Sequence, residues 1–121
     1  MQKQPFNRSI TTACKGLRVF FRMERNGKVQ LTIAVVTTIA AVIFETSIIE
    51  MMLLIGCYAL VMSLEMINTA IEEICNIIQP NYHPSIKVIK DVAAAAVMCS
   101  SIASILIGCM MFIPKIINLI S

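Results

Sequence analysis

The sequence predicts an all-α membrane protein, in which an N-terminal amphipathic surface helix precedes three transmembrane helices. Of its 121 residues, 58% are hydrophobic and 14% are charged, and the mean hydropathy is +0.83. Soluble domains average about 45–50% apolar and about 25% charged residues. Three long apolar segments and a basic N-terminal segment complete the pattern. The composition excludes intrinsic disorder, a collagen-like fibre and a soluble nucleic-acid-binding protein, so no nucleic-acid partner is expected.

Residues 9–28 are expected to form the surface helix. Apolar residues recur there at intervals of three and four, and basic residues recur along another face (Ile10, Ala13, Leu17 and Phe20; Lys15, Arg18, Arg22 and Arg25). This pattern is typical of a helix that lies in the headgroup layer of a membrane, either as a plain anchor or with a further role. Glu24 continues the apolar face, so its carboxylate is expected to point inward rather than into water.

Three spanning helices are expected at about residues 29–49, 51–78 and 87–113, since a helix needs about 20 apolar residues to cross a bilayer. The segment 79–84 is a cluster of turn-forming residues between the second and third spans. Pro84 is expected in the first turn of the next helix, where a missing N–H is tolerated, and Pro114 is expected to end the third span. Together these elements form a single domain over residues 1–121.

The distribution of basic residues predicts the orientation of the spans. Seven of the ten basic residues lie within the first 28 positions, and Lys87 and Lys90 follow the connection between the second and third spans. The connection between the first two spans carries Glu45 and Glu50 but no basic residue. Because basic loops stay on the cytoplasmic side, the N-terminus is expected in the cytoplasm and the C-terminus outside.

The motifs that commonly bind zinc or phosphate do not occur in the sequence. The five cysteines form no C-x-x-C pair, so we expect small buried apolar residues rather than a disulfide framework or a metal cluster. The four glycines stand far apart, and neither a G-x-x-x-x-G-K-[ST] loop nor a G-x-G-x-x-G segment is present. The folds of the soluble kinases are thereby excluded, and any nucleotide must be held by side chains of helices.

Two carboxylates and one amide lie on the same face of the second span. On a regular helix, Asn68 lies about 60° and Glu72 about 20° around the axis from Glu65. Ionisable groups inside a membrane helix are costly and indicate a functional site, although polar groups can also join helices by hydrogen bonds. Counted from Met51, Glu65 lies about 21 Å and Glu72 about 32 Å along the helix, which predicts that Glu65 sits just inside the cytoplasmic interface.

Lys90 and Asp91 begin the third span at the same level as these acids. Lys87 and Asp91 are four positions apart and can simply pair on the helix surface. Together with Glu24 and the acids of the second span, Lys90 and Asp91 gather both signs of charge at one rim. Carboxylate oxygens bind Mg²⁺ and ammonium groups bind nucleotide phosphates, so this rim is a candidate site for ATP and its metal ion.

The motifs resemble those of the small integral-membrane diacylglycerol and undecaprenol kinases of bacteria. The segment 65–72 reads E-M-I-N-T-A-I-E and is similar to the E-x-x-N-[ST]-A-I-E signature of that family. Further blocks, in the same order and spacing, are similar to the other motifs of the family (Gly16-Leu17-Arg18 with Glu24-Arg25-Asn26; Tyr82-His83-Pro84 with Lys90-Asp91-Val92-Ala93-Ala94). The resemblance covers most of the chain.

The resemblance implies a homotrimer of three-span subunits in the bacterial cytoplasmic membrane, with active sites shared between neighbours. It implies that Glu65 takes the proton from the lipid hydroxyl and that Asn68 orients the catalytic carboxylate or the substrate. Glu24 and Glu72 would bind the Mg²⁺ ion that accompanies ATP. The remaining implied contacts are with the lipid (Arg18, with Glu65) and with the nucleotide (Asn81, Tyr82, His83, Lys90 and Asp91, with Glu24 and Glu72). For His83, which lies beside a proline, a structural role is the alternative.

Three positions depart from the pattern of that family. Asn76 stands where an aspartate is common, Thr12 where an aromatic residue contacts the nucleotide, and residues 93–96 where a glycine or serine is usual. The first two departures bear on ATP binding. None of the three involves Glu65 or Glu72.

The reaction that the resemblance implies is the transfer of the γ-phosphoryl group of ATP to diacylglycerol, which yields phosphatidic acid. Undecaprenol, which would yield undecaprenyl phosphate, is the alternative acceptor. Two other classes are open at this point: a small proton-coupled membrane transporter that uses Glu65, and a non-catalytic membrane scaffold that tolerates Glu65→Gln. The transporter would not need Glu72, Lys90 and Asp91 gathered at one rim.

Overall fold

The computed structural model describes residues 5–121, and over these residues the protein is all-helical. It consists of four helices, α1 (Phe6–Met23), α2 (Arg25–Ile43), α3 (Ile48–Ile78) and α4 (Pro84–Ile120). The last three are long and apolar enough to cross a membrane, which confirms the prediction of three spans. The five cysteines all lie in the described part of the chain and are free thiols, but only Cys75 is buried in the single chain, whereas burial was expected for them.

A single extended residue separates α1 from α2. Glu24 has φ −106° and ψ 114° and serves both as the last cap of α1 and as the first cap of α2. The break therefore comes at Glu24, earlier than the hydropathy pattern placed the start of the first span. Phe20 is 5% exposed and packs against Gly27 so closely that a Cβ on Gly27 would lie 2.6 Å from its ring. The absence of a side chain at Gly27 lets the end of α1 approach the start of α2.

The connection between α2 and α3 is four residues long because two capping motifs meet there. Beyond Ile43 the backbone turns through Glu45, whose φ of 53° is in the left-handed region. The Thr46 N–H donates to the Ala41 carbonyl at 3.1 Å, which is the bond that closes a Schellman motif. α3 then begins with a capping box, in which the backbone N–H of Glu50 donates to the Ser47 hydroxyl.

α3 and α4 form an antiparallel hairpin and contact each other more extensively than α2 contacts α3. His83 precedes α4 as its N-cap, and Pro84 occupies the first turn, as predicted. α4 continues through Pro114 to Ile120, although Pro114 was expected to end the third span. A proline inside a helix removes one backbone hydrogen bond, and membrane helices tolerate this loss where neighbouring groups compensate.

The core of the chain lies at the end away from Glu65. Ala41, Leu54 and Met111 are buried there, and the rings of Phe44 and Phe112 meet edge to face with centroids 6.2 Å apart. Elsewhere on α2, α3 and α4 most large apolar side chains are exposed on the surface of the single chain. Such surfaces need lipid or further protein to cover them.

Two hydrogen-bonded contacts join α2 to α3 along their lengths. Nearer the core, the Tyr58 hydroxyl bonds the hydroxyl of Thr37 and accepts a bond from Thr38 at 3.2 Å. The second contact, between Gln30 and Glu65, lies towards the other end and belongs to the candidate site.

Candidate active site

Glu65 is the buried acid of the second span. It lies in the interior of α3 and is 6% exposed. The side-chain amide of Gln30, on α2, donates from Nε2 to Glu65 Oε1 at 2.8 Å. One turn further along α3, the Thr69 hydroxyl donates to the backbone carbonyl of Glu65 at 3.0 Å. Glu65 is therefore an acid that is enclosed by protein and fixed by a neighbouring helix.

Glu24 and Glu72 lie close enough to Glu65 to act on it electrostatically. Glu24 reaches the site from the joint between α1 and α2, and Glu72 from α3, two turns beyond Glu65. Both are half-buried, in line with the inward direction that the sequence pattern predicts for Glu24. The fold thus brings together three acids that are up to 48 positions apart in the sequence.

Asn68 lies on the same face of α3 as Glu65 and Glu72, as the sequence predicts, and it contacts one of these acids. Its Nδ2 lies 3.3 Å from Glu72 Oε1, so it donates to an acid just as Gln30 does. The amide oxygens of Gln30 and Asn68 are both buried, and neither has a hydrogen-bond partner in the described part of the chain. An unsatisfied buried acceptor costs about 1–3 kcal/mol. The site therefore contains two oxygen acceptors without a donor.

The residues expected to contact the nucleotide gather around the end of α3 and the start of α4. Lys90 Nζ donates to Asn76 Oδ1 at 2.7 Å. Asp91 instead pairs with Lys87 at 2.6 Å, with side chains 62% and 58% exposed, which is the surface pair that their spacing allowed. His83 accepts from the Ser85 N–H through Nδ1 at 3.2 Å, so it has a capping role.

Three other predicted contacts lie at the surface of the single chain. Tyr82 is 78% exposed, Asn81 is exposed in the same connection, and Arg18 is exposed on α1. The isolated chain does not bring these side chains against Glu65. They are available to a ligand or to another subunit.

The oxygen groups around Glu65 suit a Mg²⁺ ion that is also bound by phosphates and water. They do not suit a metal ion that is held by protein side chains alone. Within residues 5–121, no three His, Cys, Asp or Glu side chains are arranged to hold one ion by themselves. Mg²⁺ keeps several waters and is bound by one or two carboxylates together with substrate phosphates. Two half-buried glutamates and a buried amide oxygen supply oxygen ligands of that kind.

An apolar groove of about 480 Å³ lies between α2, α3 and α4, and Gln30 lines it. Most of its remaining lining is aliphatic or aromatic, with isolated hydroxyl groups from residues such as Ser101 and Ser104. Hydrocarbon is the chemistry that such a lining accommodates. The apolar groove therefore extends as far as Gln30, the residue that binds Glu65.

Gln30 is the site residue that the sequence analysis missed. Its partner lies 35 positions away, and no spacing rule connects the two. The signal that could have found it is an amide at the beginning of an apolar span, because polar side chains in membrane helices bond to neighbouring helices.

Comparison with known proteins matches residues 11–112 to the prokaryotic diacylglycerol kinase family. The undecaprenol kinase of Bacillus subtilis is 36% identical over 111 residues, which cover 92% of this chain and 90% of that protein. The diacylglycerol kinase of a Synechocystis species is 31% identical over 114 residues, which cover 92% of this chain and 64% of that protein. The match extends over all four helices.

Proposed function

The chain belongs to the prokaryotic diacylglycerol kinase family and is a lipid kinase, and from this premise we propose how its residues perform the reaction. The γ-phosphoryl group of ATP is transferred to the hydroxyl oxygen of a membrane lipid alcohol. Membership of a kinase family sets aside the transporter and the scaffold. The observation that carries the assignment of the site is the burial of Glu65 among acids and amides, on a helix long enough to cross a membrane.

Glu65 is proposed as the base that takes the proton of the lipid hydroxyl. An alcohol becomes a better nucleophile as it loses its proton, and a positioned carboxylate within hydrogen-bond reach contributes about 10²–10⁴-fold to such a step. Glu65 has one oxygen bound by Gln30, which leaves the other for the substrate. Asn68, one turn further along α3, is proposed to orient the substrate and, through its bond to Glu72, that carboxylate rather than the expected catalytic one.

Glu24 and Glu72 are proposed to hold Mg²⁺ together with the phosphates of ATP. When bound, the ion would neutralise charge on the phosphates. The charges of Glu24 and Glu72 both bear on Glu65, so a cation held by them would also offset the repulsion that they exert on this acid. Glu24 reaches the site from the joint between α1 and α2 and Glu72 from α3, so two separate segments of the chain would hold the ion.

The nucleotide is proposed to lie over the α3–α4 connection. Lys90 supplies an ammonium group whose present partner is the neutral Asn76 amide, so no carboxylate neutralises it in that contact. Tyr82 and Asn81 are exposed in the connection that precedes α4, and His83 and Asp91 complete the proposed contacts. Arg18, exposed on α1, is proposed to bind the polar end of the lipid.

The lipid chain is proposed to enter the apolar groove beside Gln30, with its hydroxyl at Glu65. The positive-inside pattern supports a cytoplasmic-membrane protein whose N-terminus and active site face the cytoplasm. α1 is proposed to lie in the headgroup layer. A homotrimer with shared active sites is proposed as the assembly, because neighbouring subunits would cover part of the exposed apolar faces of the spans.

The test is phosphoryl transfer by purified protein in detergent micelles with radiolabelled ATP and Mg²⁺. Diacylglycerol and undecaprenol are offered in separate reactions, and the labelled lipid identifies the acceptor. Glu65→Gln, which keeps shape and removes the base, is expected to lose at least about 100-fold in kcat for the preferred lipid. Glu73→Gln, an exposed neutralisation on the same helix, is the matched control and should retain activity. Wild-type activity in Glu65→Gln would contradict the proposed base.

A further inference from the structure

The amide of Gln30 is bonded at one end only. Its Nε2 donates to Glu65 Oε1 at 2.8 Å, whereas its own oxygen is buried and has no hydrogen-bond partner within residues 5–121. A buried polar group without a partner is rare in folded proteins, and in each case it calls for an explanation. In this arrangement the Gln30 amide binds the Glu65 carboxylate, while the oxygen of the same amide is left without a donor.

The other hydrogen-bonded contact between α2 and α3 differs in this respect. The Thr38 hydroxyl lies 2.7 Å from the Ala34 carbonyl of its own helix and 3.2 Å from the Tyr58 hydroxyl. The bonds of that contact are to hydroxyl and backbone groups, and no acid takes part. It is a structural contact between helices, whereas the Gln30 contact also holds an acid.

We propose that Gln30 is a positioning residue that orients the Glu65 carboxylate for proton transfer. By binding Oε1, the amide fixes the rotation of the carboxylate and leaves Oε2 for the lipid hydroxyl. The proton passes from the hydroxyl to Oε2, the lipid oxygen bonds to the γ-phosphorus, and the bond from that phosphorus to ADP breaks. A neutral amide suits the task, because it holds the acid without forming an ion pair, which would make the carboxylate a weaker base.

The amide also remains a usable partner after the proton has moved. A protonated carboxylic acid keeps one acceptor oxygen beside its donor oxygen. When the proton is on Oε2, Oε1 therefore still accepts from the Gln30 amide. Gln30 can thus stay bonded to Glu65 in both protonation states, which keeps the acid in position over the whole cycle.

The test compares Gln30→Met, which keeps length and removes both polar atoms, with Thr38→Val, which removes a hydroxyl from the other α2–α3 contact. Steady-state kinetics and thermal unfolding are measured in the same micelles. Gln30→Met is expected to lose about 10- to 100-fold in kcat, with the KM values for ATP and lipid within about twofold. Thr38→Val should keep kcat within about twofold. Gln30→Asn, which keeps the amide but shortens its reach, is expected to lose kcat while remaining folded.

Wild-type kcat in a folded Gln30→Met or Gln30→Asn variant would overturn the inference. So would a loss of kcat that merely matches that of Thr38→Val at an equal loss of thermal stability. The inference rests on the proposed role of Glu65, and Glu65→Gln in the same assay separates the two. An active Glu65→Gln refutes the base itself, whereas an inactive Glu65→Gln beside a fully active Gln30→Met refutes only the positioning role.

Discussion

Gly27→Ala places a methyl group inside the contact that joins α1 to α2. The new Cβ would lie 2.6 Å from Cε2 and 2.9 Å from Cζ of Phe20, whereas carbon atoms in contact prefer about 3.5–4.0 Å. The buried ring must therefore move by about 1 Å. Overpacking of this kind costs about 1–3 kcal/mol, and the better helix propensity of alanine returns up to about 1 kcal/mol.

The expected net effect of Gly27→Ala is a destabilisation of about 1–2 kcal/mol, measured by thermal unfolding in detergent micelles. Activity is also expected to fall, because Glu24 lies between Phe20 and Gly27 and shifts with them. A misplacement of about 1 Å in an active site can cost up to about 100-fold in rate. Adding Phe20→Leu, which shortens the displaced side chain, should restore part of both losses.

Gly56→Ala is the matched control, because no atom lies within 4 Å of a Cβ at that position. The control should gain up to about 1 kcal/mol from helix propensity and keep its activity. If Gly27→Ala gained as much stability as Gly56→Ala, the close packing of Phe20 on Gly27 would not be what holds α1 against α2, and the reasoning would be refuted.

Two further predictions concern the nucleotide contacts and a strained residue. Lys90→Gln removes the ammonium group that donates to Asn76 and is expected to raise the KM for ATP about tenfold. Lys15→Gln, which removes an exposed ammonium group from α1, should leave this KM within about twofold. An unchanged KM in Lys90→Gln, measured by kinetics at varied ATP, would contradict the nucleotide role. Glu45→Gly relieves a left-handed backbone conformation and is expected to raise stability to thermal unfolding by about 1 kcal/mol. The control Glu45→Ala keeps a Cβ and should not gain this stability. Equal stabilities of the two variants would exclude relief of the backbone as the cause.

The parts of the fold that depend on local signals could be predicted from the sequence. The three spans follow from the length of the apolar segments, and the start of α4 follows from the turn cluster before Pro84. The face that carries Glu65, Asn68 and Glu72 follows from helical periodicity alone. None of these inferences requires knowledge of the contacts between helices.

The remaining features depend on contacts between distant segments. The break at Glu24 coincides with the packing of Phe20 on Gly27, and the apolar pattern continues through it without a proline or glycine at the break. α4 likewise continues beyond Pro114, although a proline is a local signal that a helix ends. The Gln30 amide binds Glu65 and Lys90 binds Asn76 across helices, and no periodicity within one helix reveals such partners.

Glu50 uses both of its carboxylate oxygens at the end of the molecule away from Glu65. Oε1 lies 3.2 Å from the Ser47 hydroxyl, and Oε2 lies 2.6 Å from Lys115 Nζ on α4. The beginning of α3 is therefore tied to α4 by a charged link, which would be the pivot if the angle between the two helices changed. Glu65 lies 15 residues from that pivot, about 22 Å along the helix. A swing of about 5° would carry its carboxylate through about 2 Å, which is enough to make or lose a hydrogen bond.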